Sequence, residues 1–384
     1  MTSVGDLLAE YKEMPSAEST APVLTLTEKN GFVRQSERFH KRLATDDTSK
    51  YKVVRRNDIA FNPYLLWAGA VAQNTIVDEG IISPLYPTFK VREGHDPRYV
   101  ARLLLAPQMI AAYDTIAFGS VPRRRRSSVE NFLNLPVPEP PSAEEQQRVA
   151  SILDKASEVA DKQGAVLSKL DVLAQAIFRD LFGEPSTWPR RWPMGRIGDM
   201  AEDVQYGTSE KAGDSGEWPI VRMGNVTDTG RLDLTDLKWI DLTDSDIVKY
   251  TLKPGDLLFN RTNSKERVGK TCVVTVDQPL AFAGYLVRVR LKPQHRPEFV
   301  NAFMTSRYGQ ALRRSMAKAA VNQANINASE MQSIPIALPP TNLQVKFAEA
   351  VEDITAQRLR QLGAIAKAQD LLTALQARAF SGQL

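Results

Sequence analysis

One cysteine, Cys272, and three histidines, His40, His95 and His295, supply all the thiol and imidazole chemistry in 384 residues. A single cysteine excludes a disulfide framework within the chain and fits a reducing compartment. The histidines lie far apart in sequence, so no recognisable zinc spacing forms and no metal site is expected. No apolar run approaches the roughly 18 residues of a membrane span; the longest candidate, "YVARLLLAPQMIAAY", is interrupted by Arg102. The amino-terminal "MTSVGDLLAEYKEMP" has neither a basic region nor an apolar core, so it is not expected to act as a secretory signal. These absences predict a soluble cytoplasmic chain with no membrane partner.

Catalytic motifs are missing as well. "FNPYLL" at Phe61 is similar to the Asn-Pro-Pro-Tyr motif of amino-methyltransferases but lacks the second proline, and no glycine-rich cofactor loop follows a strand elsewhere. "SKERVGKT" ends like a phosphate-binding loop, yet Ser264 stands where the first glycine belongs. A strand-like "CVVTV" follows where a helix must begin for its N–H groups to cradle phosphate. There is no nucleophile-elbow motif. The expectation is a chain without catalytic residues and without a cofactor of its own.

The sequence does contain a long internal repeat. "LPVPEPPSAEEQQRVASILDKA" from Leu135 is echoed by "IPIALPPTNLQVKFAEAVEDI" from Ile334, and "NDIAFN" from Asn57 by "GDLLFN" from Gly255. "PRYV" from Pro97 pairs with "PEFV" from Pro297, "VGDL" from Val4 with "IGDM" from Ile197, and Gly31 with Gly230. The anchors keep their order at offsets of 193 to 200. A period this long is too large for a solenoid unit and implies two homologous halves. Within each, short apolar runs bounded by Gly, Pro, Asn and Asp read as strands. "PRYVARLLLAPQMIAAY" and "PEFVNAFMTSRYGQALRRSM" read as one helix each, the first bent at Pro107.

After each proline run comes a heptad pattern. Val149, Leu153, Ala156, Ala160, Gln163, Leu167, Leu170, Ala174, Ile177 and Leu181 follow 4-3 spacing without a slip. Adding 198 gives Phe347, Val351, Ile354, Arg358, Gln361, Ile365, Ala368, Leu372, Leu375 and Ala379. This is a coiled-coil seam. Helices of about 38 residues would be roughly 57 Å long. Because one half is inserted between the two helices, they are expected to run antiparallel with a globular domain at each end. The predicted fold is mixed α+β, a pseudo-two-fold repeat of two α/β domains separated by a long antiparallel two-helix coiled coil. The predicted boundaries are 1–142, 143–182, 183–342 and 343–384. Gln163, Gln361 and Arg358 are expected to form a polar layer near the middle that fixes the register.

Charge is sorted along the chain. Asp199–Asp246 holds twelve acidic and four basic residues, whereas Lys249–Lys318 holds fourteen basic and four acidic. Arg34–Arg56 and Lys90–Arg126 are each basic by about five charges. A basic face on each half is the footprint of a polyanion binder. The run Arg123, Arg124, Arg125 and Arg126 cannot share one face of a helix or strand, so it reads as a loop with its guanidinium groups fanned outward, suited to phosphate. "NRTNSKERVGK" carries Asn260, Arg261, Asn263, Lys265, Arg267 and Lys270 after a buried-looking strand, a mixture suited to reading bases and holding phosphates. Arg34, Arg38, Lys41, Arg42, Arg313 and Arg314 complete the candidate DNA-contacting set.

Two variable α/β domains, each followed by a proline junction and a long helix, resemble the specificity subunit of type I restriction–modification enzymes. "LPVPEPPSAEEQQRVASILDKA", "LDVLAQAIFRDLFG", "KPGDLLFNRTN" and "LLTALQARAFSGQL" carry the resemblance, which covers nearly the whole chain. It implies two target recognition domains, each reading one half of a bipartite asymmetric site in double-stranded DNA. It also implies docking to two modification subunits, which methylate adenine with S-adenosylmethionine, and to restriction subunits that use ATP and Mg²⁺. A specificity subunit of a related type IIB system, a duplicated coiled-coil interaction scaffold, and an enzyme with a cryptic active site are the alternatives.

Overall fold

A computed structural model describes residues 2–28, 30–38, 48–119, 125–320 and 323–384, with Arg38 and residues 318–320 described in backbone only. The chain divides into two units, residues 1–163 with 364–384 and residues 164–363.

In the first unit the strand Ile59–Phe61 is buried at every position. It lies between Thr88–Val91 and Val71–Gln73, with Leu8–Tyr11 beyond Thr88–Val91, and all pairings are antiparallel. An uninterrupted apolar run suits such a strand because both faces are covered. Ile59 and Phe61 enter the main core with Phe89 and Phe132, while Ala60 faces a second cluster with Leu24, Leu26, Phe32 and Val54.

The second unit repeats this plan. Leu257–Asn260 lies between Leu286–Leu291 and Thr271–Val273, with Ala201–Tyr206 at the edge, again antiparallel. Leu257 and Phe259 join the main core and Leu258 the second cluster. The repeat anchors have local causes. Asn57 and Gly255 both take a positive φ, 72° and 88°, which Asn and Gly tolerate best. The aspartates that follow close the turn: Asp58 accepts the N–H of Arg55 at 2.6 Å and Asp256 that of Lys253 at 2.9 Å.

The two segments read as single helices are each divided. Pro97–Leu104 and Pro107–Thr115 are separated by an extended Ala106, because the residue before proline is pushed out of the helical region. Pro297–Thr305 and Arg307–Met316 are separated by Ser306, which has no proline after it. Its hydroxyl caps the second helix by accepting from Gly309 N–H at 3.1 Å, which offsets the break.

The long helices span Ala143–Phe182 and Thr341–Phe380, 40 residues each. Ser142 caps the first by accepting from Glu145 N–H. All ten seam positions of each helix are buried or half-buried, and the positions between them are largely exposed. In the first unit Val149 and Leu153, at the start of one helix, share a core with Leu372, Leu375 and Phe380, at the end of the other. In the second unit Phe178 and Phe182 pack on Phe347 at centroid distances of 5.6 and 5.7 Å, with Ile177 and Val351 alongside. Both arrangements are antiparallel.

The repeated proline junction holds each domain to its helix through one side chain. Gln146 and Gln344 are 1% and 0% exposed. Each donates to the carbonyl of the proline five residues earlier, Pro141 at 2.8 Å and Pro339 at 2.9 Å. Each also accepts, at 3.0 Å, the backbone N–H just before a short domain helix, that of Asp96 or Arg296. Replacing Gln344 by alanine strands a buried N–H and a buried carbonyl, which costs about 1–3 kcal/mol. Denaturant unfolding is expected to show this as a lower midpoint with an unchanged slope.

Arg358, expected in a polar layer with Gln163 and Gln361, is held by Asp171 at 2.5 Å, and the same carboxylate oxygen takes Arg231 at 2.6 Å. One carboxylate therefore ties both long helices of the second unit to the Arg231 loop. Lodging an arginine in the seam is possible because Asp171 of the facing helix supplies the counter-charge.

Candidate nucleic-acid interface

In the second unit the buried strand Leu257–Asn260 ends at the base of the loop 261–269. Asn260 closes it: its N–H donates to Lys270 O at 2.8 Å and its carbonyl accepts from Gly269 N–H at 2.7 Å. The Asn260 amide donates to Met223 O at 3.3 Å, and the residue is 0% exposed. Lys270 is buried and paired with Asp228 at 3.4 Å. Arg313 is buried under the loop and donates to Val268 O at 3.1 Å. Burial and the neighbouring Arg314 pull its guanidinium down to about 10. Gly269 has φ 75°, and a Cβ there would lie 2.9 Å from the Arg313 side chain. Asn260, Lys270 and Arg313, expected to face DNA, are instead the loop's footings. Asn260 Oδ1 and Arg313 Nε are enclosed without a partner, while the Asn260 amide, the Lys270 ammonium and an Arg313 terminal nitrogen are held inside the fold.

The rest of the set behaves differently. Lys265, Arg267 and Arg314 are exposed, and Arg261 and Asn263 half-buried. Arg261 lies over the Tyr206 ring at 5.0 Å and donates weakly to Gly284 O at 3.3 Å. Its Nε is enclosed without a partner. Asn263 sits in the short strand Thr262–Asn263, which pairs with Gln323–Asn325, itself paired with Lys318–Ala320. A side-chain bond from Asn325 to Thr262 Oγ1 at 2.9 Å reinforces this ribbon. Loop and hairpin are thus one continuous surface. Sequence reading missed Tyr206, Gln323 and Asn325. Tyr206 had a signal, since it ends its edge strand as Tyr11 does in the first copy.

In the first unit the corresponding hairpin pairs Ala117–Phe118 with Arg126–Ser127. Arg123 and Arg124 lie outside the described residues, as do Lys41 and Arg42. Arg125 does not fan outward. It bonds the Asp114 carboxylate at 2.6 Å, donates to the carbonyls of Asp114 and Ala117, and lies 5.8 Å from the Trp67 ring centroid. Arg126 is exposed, with its guanidinium over Tyr64 at 5.8 Å. Arg34 is exposed with Glu37 at 3.8 Å, and Arg38 ends a short helix, Gln35–Arg38.

Among the described residues no group of three His, Cys, Asp or Glu side chains could hold a metal ion. Cys272 is buried, which pushes its thiol up to about 12, so it is not a thiolate nucleophile at neutral pH. The segment resembling a phosphate-binding loop runs into the strand Thr271–Val273, so no helix N-terminus stands there. No helix among the described residues is long and apolar enough to cross a membrane.

Residues 189–364 match the family described as the type I restriction modification DNA specificity domain. The putative type I restriction enzyme MjaX specificity subunit of Methanocaldococcus jannaschii is 28% identical over 169 residues, covering 43% of this chain and 40% of the relative. The type I restriction enzyme EcoKI specificity subunit of Escherichia coli is 28% identical over 190 residues, covering 47% and 41%. The matched part is about two fifths of the length of each relative. The type I restriction–modification S subunit from M. genitalium superposes with a TM-score of 0.54 at 12% identity, over 98% of this chain and 95% of that one. A chain from a structure describing assembly and conformational transition of the type I system gives a TM-score of 0.59 at 16% identity, over 100% and 97%. Residues 189–364 therefore match the type I specificity domain in sequence, and the whole chain shares the fold of these two solved structures. The family match covers only the second copy, and the shared sheet order extends the domain plan to the first.

Proposed function

We propose that this chain is the DNA sequence-recognition subunit of a type I restriction–modification complex. Each unit reads one half of a bipartite, asymmetric site in double-stranded DNA, and the chain itself performs no chemistry. Two modification subunits supply methylation, and restriction subunits join them. One observation carries the reading. Beside the loop after the core strand each unit sets a guanidinium over an aromatic ring, Arg261 of the loop over Tyr206 at the end of the edge strand and Arg126 of the hairpin over Tyr64. A stacked guanidinium keeps its donor fork in a fixed plane, which suits base edges and phosphates. The same frame bearing different loops explains how one chain reads an asymmetric site. Along the helices of the second unit, Val166, Val172, Leu173, Leu359 and Leu362 are exposed outside the seam, a flank suited to the modification subunits.

Salt dependence tests the assignment. Each phosphate contact contributes about 0.9 to the slope of log affinity against log salt. Arg126→Ala is expected to lower that slope by about 0.9. Arg125→Ala is expected to leave it unchanged while lowering thermal stability, because its guanidinium is already held by Asp114. Equal slopes for wild type and Arg126→Ala would remove Arg126 from the interface.

A further inference from the structure

Phe118 is 64% exposed, more than any other aromatic side chain among the described residues. It stands directly across the hairpin from Arg126. Phe118 and Leu85, itself 55% exposed, line one cleft with Pro63, Pro84, Pro87 and Arg126, and its volume is about 530 Å³. Lys52, which donates to Tyr86 O at 2.8 Å, and Glu10 are on the same cleft. Scattered exposed apolar residues need no explanation, but two large ones sharing a cleft beside an exposed arginine do. The exposed Arg126 directly across from Phe118 favours a polyanion whose interior is apolar and flat. Stacked bases between phosphate chains have that character.

We infer that Phe118 is a wedge that enters a base step of duplex DNA in the half-site read by the first unit, unstacking it while Arg126 holds the adjoining phosphate. The inference rests on the DNA recognition proposed above and adds deformation of the duplex to it. Planar apolar side chains that enter a groove beside arginines partly unstack the step, and the kink brings more of the duplex against the protein. The wedge belongs to one unit alone. Position 318, which opens the equivalent hairpin of the second unit, is lysine. Unstacking is therefore confined to one half-site.

The test uses the full chain assembled with its modification subunits and duplexes carrying 2-aminopurine, which brightens on unstacking, at successive positions of each half-site. A several-fold rise in fluorescence is expected at one step of one half-site only. Phe118→Ala is expected to abolish the rise and weaken binding roughly tenfold without changing the salt slope. Phe118→Trp is expected to retain the rise and to lose tryptophan emission on binding. If wild type binds tightly with no rise anywhere, or Phe118→Ala keeps the rise, the wedge is wrong while DNA recognition stands. If wild type binds no duplex, both readings fall.

Discussion

Arg261→Ala is expected to relax or change the sequence read in one half-site and leave the other half intact. The side chain leaves the loop at the end of a buried strand and lies over the Tyr206 ring at 5.0 Å. Little side-chain freedom remains to be lost on binding. The one hydrogen bond made by its terminal nitrogens, to Gly284 O, is long at 3.3 Å, so the guanidinium fork is largely uncommitted. A bidentate contact from arginine to guanine discriminates by about 1–3 kcal/mol, or roughly 5- to 150-fold in affinity. Binding of the assembled complex to duplexes substituted one base pair at a time would measure it. The expected result is loss of discrimination at one position. Lys265→Ala and Arg267→Ala are instead expected to weaken all sequences alike and lower the salt slope, since exposed lysine and arginine at a loop tip hold phosphate. A uniform loss for Arg261→Ala would place it with them. Change in both halves would detach the loop from base reading altogether.

Phe347→Ala is expected to produce the largest loss of stability. Phe347 is fully buried on the seam of the second long helix, against both Phe178 and Phe182 of the first. Phe299 packs on the same aromatic group from the domain side, tilted against Phe178 and edge-on to Phe182. Truncation opens a cavity shared by three elements that cannot all collapse into it. Removal of a buried phenylalanine costs about 3–5 kcal/mol, which for a unit of this size lowers the melting temperature by roughly 6–20 °C. Leu359→Ala, on the exposed flank of the same helix, is expected to change stability by less than about 0.5 kcal/mol. Thermal melts of the two variants side by side check the difference. Comparable losses would mean that the aromatic junction does not organise the helix pair.

The features legible in the sequence were those written in local periods. The 4-3 spacing gave the helix seam because each position faces the same way every seven residues. The repeated Asp58 and Asp256 were visible because a turn with a left-handed residue needs a side-chain acceptor at a fixed place. The destinations of charged and polar side chains were not legible. Asn260, Lys270 and Arg313 have the composition of a DNA-reading loop, yet they are buried, because a loop on a sheet edge needs its own hydrogen-bonded footing. Their partners, Met223, Asp228 and Val268, come from 37, 42 and 45 residues away. Arg125 was read with its three neighbours, but it precedes the strand Arg126–Ser127 and is held by Asp114, while Arg126 is exposed. The counter-charge of Arg358 arrives from Asp171, 187 residues distant. Neither spacing nor composition records such partners.

The central claim, that one chain reads both halves of a divided site through two differently decorated copies of one domain, is tested most directly by mapping methylated adenines across the host genome. The map would be made with the gene intact, deleted, and restored as the Arg261→Ala variant. The expected result is one bipartite motif of two unlike halves separated by a fixed spacer. It should vanish on deletion and return in the variant with a single half altered. A map that deletion does not change, or one that loses only a continuous undivided motif, would contradict the account.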